Sequence, residues 1–374
     1  MRSIKENKIK DSTVLVRVDF NVPIKNNKVK SNFRIKTSLD TIKYLLKNNN
    51  KVIVMTHLGR PKGEVKEDLR LNSIKNEFEK LLGKKVLKLD DCINQEEKIN
   101  NSTEDVILLE NLRFHKGEKS NQDEFSKRLA KQADYYVFDA FSVSHRKHAS
   151  TYGVTNHLPS FIGLRLEKEL NYLKKTIKNP KKPFLVIMGG AKLSTKLPAI
   201  SSLINKSDNI FIGGAMAFTF IKAMGYNIGK SLYEKDFVDD AKKLLKTGKI
   251  IIPKKIVCNV KGKDKVLDYK EIKGEGLDIA DESFEEIKEI IDESKTILWN
   301  GPMGKFEESK YSLGTKKLVN LLSDSKAKVI CGGGETLQAI EDLGKENSFY
   351  FLSTGGGALL NYIEKLEIPT ENKI

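Results

Sequence analysis

The sequence predicts an α/β fold built on parallel sheet, and three observations carry that expectation. Short apolar runs, suited to strands covered on both faces, alternate with stretches whose apolar residues fall at helical spacing. The runs end in loops rich in glycine, arginine, histidine and asparagine, which strand–helix alternation gathers along one sheet edge, where open α/β folds bind ligands. At 374 residues the chain is long enough for two or three domains with full cores.

Val14–Val18 is a short β-branched strand that runs into Asp19, Asn21 and Pro23, and Asp19 and Asn21 share strand parity. Arg34 opens a helix whose Ile35, Leu39, Ile42 and Leu46 keep helical spacing. Val52–Met55 is a second strand, followed by Thr56-His57-Leu58-Gly59-Arg60-Pro61. The plan recurs at Val106–Leu109 before Glu110-Asn111-Leu112-Arg113, and at Tyr135–Phe138 before Asp139 and His145-Arg146-Lys147-His148. Arg34, Arg60, Arg113 and Arg146 therefore stand at equivalent positions, and guanidinium forks suit carboxylate and phosphate.

The stretch Phe184–Ile204 compresses the same plan into strand, glycine turn and helix. Phe184–Met188 is continuously apolar, Gly189-Gly190 permits a sharp turn, and Leu193, Leu197, Ile200 and Ile204 fall at helical spacing. This predicts Lys192 and Lys196 one turn apart at a helix N-terminus, where backbone N–H groups favour an anion. Further strands are expected at Ile210–Ile212, Ile250–Ile252, Thr296–Trp299, Val329–Ile330 and Phe349–Leu352, several ending in glycine pairs or triplets. Gly225–Ser231 imitates a nucleotide P-loop but its spacer is one residue short, and neither glycine triplet fits a dinucleotide fingerprint.

Composition is that of a soluble globular protein, 39% hydrophobic and 31% charged. No apolar run approaches the ~20 residues of a membrane span, and the opening segment lacks the apolar stretch of a secretion signal, so a cytoplasmic location is expected. Cys92, Cys258 and Cys331 lie far apart without a CxxC pair, which argues against a disulfide framework or a zinc site. The net charge of +16 is spread through every segment rather than gathered in one tract, which favours a small phosphorylated or carboxylated substrate over nucleic acid.

RVDFNVP, HLGRP, ENLRF and DAF followed by SHR and HAS, in this order, resemble the phosphoglycerate kinase family, as do GGAKLSTK, GGAMAFTF, SLYE, WNGPMGKFE, GGGET and STGGGA. The resemblance covers essentially the whole chain. It implies two doubly wound parallel-sheet (Rossmann-like) domains, residues 1–165 and 180–358, joined by an interdomain helix over 166–179. Residues 359–374 should return to the first domain and limit motion to hinge closure. The implied reaction is reversible phosphoryl transfer from 1,3-bisphosphoglycerate to MgADP, giving 3-phosphoglycerate and MgATP, by a monomer. The attacking carboxylate has a pKa near ~3.5 to 4, so no base is needed. Alignment, water exclusion and positive charge are what the site must supply.

By these motif matches Asp19, Asn21, Arg34, His57, Arg60, Arg113 and Arg146 resemble the substrate site. Arg34, Lys192 and Gly356 resemble the catalytic groups. Lys192, Lys196, Gly213, Gly214, Asn300, Pro302, Glu307, Gly333, Gly334, Glu335 and Thr336 resemble the nucleotide site, with Glu307 on the ribose and Glu335 on Mg²⁺. Several positions depart from the family pattern. Glu335 replaces an Asp, lengthening the metal-contacting arm; Lys305 replaces a small apolar residue; Phe138, Ser142 and Val143 replace Asn, Gly and Thr. Leu359 and Asn361 replace Ser and Glu. Phe351 replaces a His, which implies a hinge that does not use an imidazole facing a linker acid such as Glu169. A non-catalytic binding protein on this scaffold would be favoured by loss of Arg34, Lys192 or Lys196, and all three are present.

Overall fold

The computed structural model describes residues 1–374, which form two compact units: Met1–Asn171 with Glu367–Ile374, and Tyr172–Leu366. In the first unit Val14, Leu15 and Val16 are fully buried, as a central strand covered on both faces requires. The six-stranded parallel sheet runs Leu87–Lys88, Val106–Leu108, Lys51–Met55, Thr13–Arg17, Tyr135–Phe138, Ser160–Ile162. The chain starts in the middle, winds out to one side, then crosses to the other between Thr13–Arg17 and Tyr135–Phe138. Register places Arg17 beside both Met55 and Phe138, so the polar loops after these strands share one edge. The helix Phe33–Lys47 buries Ile35, Leu39, Ile42 and Leu45 against this sheet and carries Arg34 in its first turn.

The second unit repeats the plan with strands in the order Ile250–Ile251, Asn209–Ile212, Phe184–Met188, Thr296–Asn300, Lys328–Gly332, Phe351–Ser353, all parallel. Its direction also reverses beside the first strand, where Met188 lies level with Asn300. An antiparallel sheet is added, Lys255–Val260 pairing with Lys263–Asp268 on one side and Glu275–Ile279 on the other. None of these three strands was expected from the sequence, and the outer one carries no pattern at all, because Lys263–Val266 are all exposed and no alternation marks a buried face.

The helix Leu164–Lys178 starts two residues before the expected Leu166, and its start is set by side chains from elsewhere in the first unit. Thr41 Oγ1 accepts from Leu164 N at 2.9 Å and Asp139 Oδ1 from Leu166 N at 2.9 Å. Gly163 is needed there, since a Cβ would lie 2.4 Å from Asp139 Cγ. The helix Gly357–Lys365, expected on the return to the first domain, instead packs on Leu197–Leu203, with Ser202 Oγ donating to Ile363 O at 3.0 Å. Only Glu367–Ile374 joins the first unit, where Arg2 N donates to Ile374 O at 3.0 Å. Phe351 stacks on Tyr172, their rings 4.4 Å apart and 13° from parallel, so an aromatic contact occupies this position. No helix is long and apolar enough to cross a membrane.

Burial raises the pKa of Asp139 to about 7, against the lowering effect of hydrogen bonds from Thr41 and Leu166 N. An unfolded aspartate releases its proton near ~4. The folded chain therefore holds the extra proton between about pH 4 and about pH 7, and this group's contribution to stability is lost as pH rises through that window, at most ~1.4 kcal/mol per unit. Asp139→Asn removes the titration. The stability of the variant minus that of the parent, from urea midpoints between about pH 4.5 and 8, should climb with pH and level off above 7; a constant difference contradicts the assignment.

Candidate active site

Arg17 ends the central strand of the first sheet and is 1% exposed. Its Nε donates to Ser150 Oγ at 3.0 Å, one terminal nitrogen to Val18 O, and the other to His57 Nδ1 at 2.9 Å. An arginine only donates, so His57 Nδ1 accepts and its Nε2 carries the proton. The pKa of His57 lies well below its ordinary value because of burial first, then the charges of Arg17, Arg113 and Arg34. The ring is thus a neutral donor. Glu118, fully buried, supplies the counter-charge: it accepts from Ser150 N at 2.9 Å and from Ser150 Oγ at 2.7 Å. Burial favours its neutral form, but His148, Arg17 and Ser150 together outweigh that and hold its pKa below the usual value.

The next links join three loops that are distant in sequence. Arg34 donates to Asp19 Oδ2 at 2.7 Å and to Asn21 O at 3.2 Å, while Asp19 Oδ1 accepts from Asn21 N at 3.1 Å. Asn21 Oδ1 accepts from Gly59 N at 2.9 Å, and Gly59 O accepts from Arg113 at 2.7 Å. Gly59 has φ +62°, and a Cβ would lie 2.8 Å from Leu69 Cδ2. Asn111, fully buried, clamps the same loops by accepting from Leu58 N and Arg113 N and donating to Leu58 O and Leu69 O. Burial lowers the pKa of Arg113 to about 10, with Arg17 and Arg146 adding to the effect. Its Nε is buried without a hydrogen-bond partner, while His148 Nδ1 stands 3.6 Å from Glu118 Oε1. Arg60 and Arg146 are exposed, Arg146 Nε donating to His145 Nε2 at 3.1 Å. Asp19, Asn21, Arg34 and Arg113 are therefore joined in one hydrogen-bond network through Gly59, His57 in the same loop as Gly59 is bonded separately to Arg17, and Arg60 and Arg146 are exposed.

In the second unit Lys196 is buried and donates to Asn300 O at 3.0 Å and Asn300 Oδ1 at 2.5 Å. Burial lowers its pKa to about 7, while the charge of Glu335 acts the other way. Asn300 Nδ2 donates to Gly332 O at 2.7 Å, and Thr336 Oγ1 accepts from Gly301 N at 2.8 Å. These bonds lock two neighbouring strand ends to the start of the helix Gly334–Asp342, whose first turn has no side-chain cap. Gly333 precedes it at φ +114°, ψ 140°, a conformation essentially confined to glycine. A Cβ on Gly356 would lie 3.4 Å from Gly333 Cα, so the two glycine triplets adjoin.

The helix after Gly190 begins at Leu197, not before Lys192, which corrects the expected placement of the two lysines on one helical face. Ser194 is held by Glu234 through its N at 2.8 Å and its Oγ at 2.6 Å, which fixes residues 191–196 as turns. Lys196 is consequently buried and Lys192 exposed. Gly213 packs on Met303, and Gly214, at φ +65°, sits where a Cβ would be 2.5 Å from Gly190 N. Beside them lies a cavity of about 300 Å³. Phe218, Ile256, Leu277, Pro302 and Met303 form apolar walls, with Lys305, Glu307 and Glu335 also lining it. Partial burial, then the charge of Glu307, raises the pKa of Glu335.

The sequence profile of the family described as phosphoglycerate kinase matches residues 4–365. A phosphoglycerate kinase from Dictyoglomus turgidum is 45% identical over 98% of this chain and 96% of its own length. The chain belongs to the phosphoglycerate kinase family. Another member, from Aquifex aeolicus, is 43% identical over 98% of this chain and 96% of its own. Among solved phosphoglycerate kinase structures, that from Pyrococcus horikoshii OT3 matches with TM-score 0.89 at 29% identity, covering 100% of this chain and 98% of that one. That from Coxiella burnetii matches with TM-score 0.81 at 31% identity, covering 99% and 98%. A phosphoglycerate kinase transfers a phosphoryl group reversibly between 1,3-bisphosphoglycerate and ADP in glycolysis, and this chain is an enzyme of that activity.

Sequence reasoning did not single out Arg17, Asn111, Glu118, Ser150 or Glu234, nor the cavity wall from the antiparallel sheet. Arg17 carried a signal: a charge at the end of a fully buried strand needs partners nearby. Glu118 and Ser150 carried none, because only the fold brings them under Arg17. Glu118→Gln keeps the side chain's size but leaves the buried Arg17 charge without its acid. It should cost about 3 kcal/mol or more of stability in urea unfolding. A loss below about 1 kcal/mol contradicts the role of Glu118 as counter-charge.

Proposed function

We propose that the first unit binds the phosphoglycerate end of the reaction and the second binds the nucleotide, with Arg34 and Lys192 serving the migrating phosphoryl group. The observation that carries this reading is the buried Lys196, fixed to Asn300 beside an uncapped helix start and an apolar cavity. Apolar walls suit a base, and helix-start N–H groups suit phosphates. Gly213, Gly214, Pro302, Gly333, Gly334, Thr336 and Gly356 shape or present that backbone. Glu307 is assigned to the ribose hydroxyls.

The first unit supports the other half. His57 as a neutral donor, the orphaned Arg113 Nε and the surrounding guanidiniums offer hydrogen bonds and positive charge without a catalytic base. Asp19 aims Arg34 and Asn21 fixes the loop that positions Arg113. Arg60 and Arg146, exposed at the rim, are assigned to the substrate phosphate. The substrate carboxylate is already ionised, so the protein's contribution is alignment and charge. In-line transfer needs reacting atoms within about 3 to 3.5 Å, so hinge closure is part of the proposed cycle.

Mg²⁺ enters with the nucleotide. The donor set fits it: Glu335 and Glu307 line the same cavity, and burial, then the charge of Glu307, raises the pKa of Glu335, a penalty that a hard cation beside it would relieve. Glu335 would hold the ion, which neutralises phosphate charge when bound. A cytoplasmic monomer is the proposed setting, supported by three free cysteines that are all buried.

With a pKa of about 7, Lys196 is partly neutral at physiological pH, and a bound phosphate favours its ammonium form. Binding of MgADP should therefore take up a proton above about pH 7, approaching one at about pH 8, and almost none at about pH 6. Calorimetry in buffers of different ionisation enthalpy reads this directly. Uptake should vanish in Lys196→Gln; uptake that is absent from the parent, or unchanged in that variant, contradicts the assignment of Lys196 to the nucleotide phosphates.

A further inference from the structure

The cysteine spacing argues against a zinc site, yet the first unit assembles a three-donor cluster that the spacing does not reveal. Asp91 and Cys92 follow the edge strand Leu87–Lys88, and His115 sits at the N-cap of the short helix Lys116–Ser120. One carboxylate oxygen, one thiol sulfur and one imidazole nitrogen lie within 4.8 Å of one another. None of the three belongs to the phosphoglycerate or nucleotide sites described above. We infer that Asp91, Cys92 and His115 form a binding site for one thiophilic divalent cation of the zinc class.

The surroundings hold these donors in place. His115 Nε2 and Asp91 Oδ1 are 2.6 Å apart, and Cys92 N donates to the same oxygen at 2.6 Å. Gln132 Nε2 donates to Cys92 O at 3.0 Å, and the His115 ring lies beside Phe125 with centroids 5.2 Å apart. Cys92 is fully buried, whereas the Asp91 and His115 side chains are 44% and 30% exposed, so a fourth position is open to water. Three protein donors and one water are the coordination of an accessible zinc site rather than a closed structural one. The mixed sulfur, nitrogen and oxygen set selects against Mg²⁺ and Ca²⁺, which take oxygen.

Burial holds the Cys92 thiol well above its ordinary pKa, so without metal it keeps its proton and is no nucleophile. On binding, the S–H bond breaks, a sulfur–metal bond forms and that proton goes to solvent. His115 gives its Nε2 lone pair to the metal, the ring proton moving to Nδ1. The hydrogen bond to Asp91 opens to about 3.3 Å, the tetrahedral edge for bonds of ~2.0 to 2.1 Å. The thiol thus releases one proton per cation bound. The bound charge then stands three residues from Glu118, the counter-charge of Arg17.

The test is a titration of the metal-free full chain with Co²⁺, followed by its thiolate charge-transfer absorption, and then displacement by Zn²⁺. One equivalent should bind with a Kd below about 10 μM, and millimolar Mg²⁺ should not compete. Cys92→Ser should abolish the band, and His115→Ala, at a partly exposed position, should weaken binding at least about tenfold. Absence of the band, a weaker Kd, competition by Mg²⁺, or retention of the parental affinity in either variant overturns the proposal.

Discussion

A guanidinium buried at the end of a sheet strand is the constraint from which the first unit's half of the candidate site follows. Arg17 is tolerated there because Ser150, Val18 O and His57 take its hydrogen bonds and Glu118 balances its charge. Burial pulls its pKa down, and the acids pull it back. That one arrangement fixes the tautomer of His57, helps keep the ring neutral, and leaves Arg60 and Arg146 as the exposed charges. A sheet edge crowded with cations is otherwise self-repelling, and buried acids such as Glu118 and Asp19 offset that repulsion.

The second unit answers the same problem with backbone. Lys196 is buried against Asn300, and beside it glycine turns supply backbone N–H groups, with Lys192 exposed and Lys305 lining the cavity. Both solutions sit where strand order reverses, between Thr13–Arg17 and Tyr135–Phe138 in one sheet and between Phe184–Met188 and Thr296–Asn300 in the other. The loops there diverge to opposite faces and leave a crevice. The fold thus decides where the site lies, and the loop residues decide what it binds.

Much of this was legible in the sequence because its central strands are fully buried and therefore read as unbroken apolar runs, Val52–Met55 and Phe184–Met188 most plainly. Helix starts were less legible. Leu164 and Leu197 begin helices because Thr41, Asp139 and Glu234, far away in sequence, fix the preceding turns. The loop arginines stood out by position, but which of them are buried and which exposed depended on Asn111 and Gly59. The outer antiparallel strand Lys263–Asp268 was invisible, since hydrogen bonding rather than a buried face defines it. The Asp91, Cys92 and His115 cluster was hidden for the same kind of reason, its donors coming from two segments joined only by the fold.

In the proposed division of labour the first unit supplies the substrate and an arginine to the transferring group, and the second holds the nucleotide unaided. Arg34→Ala tests it most directly, with ADP affinity by calorimetry and turnover by steady-state rates on one preparation. An arginine at a phosphoryl-transfer point contributes ~10³ to 10⁵-fold in rate. The account predicts ADP affinity within about a factor of three, under 1 kcal/mol, and turnover reduced at least about a hundredfold. Near-normal turnover, or ADP binding lost while the fold stays intact, would contradict it.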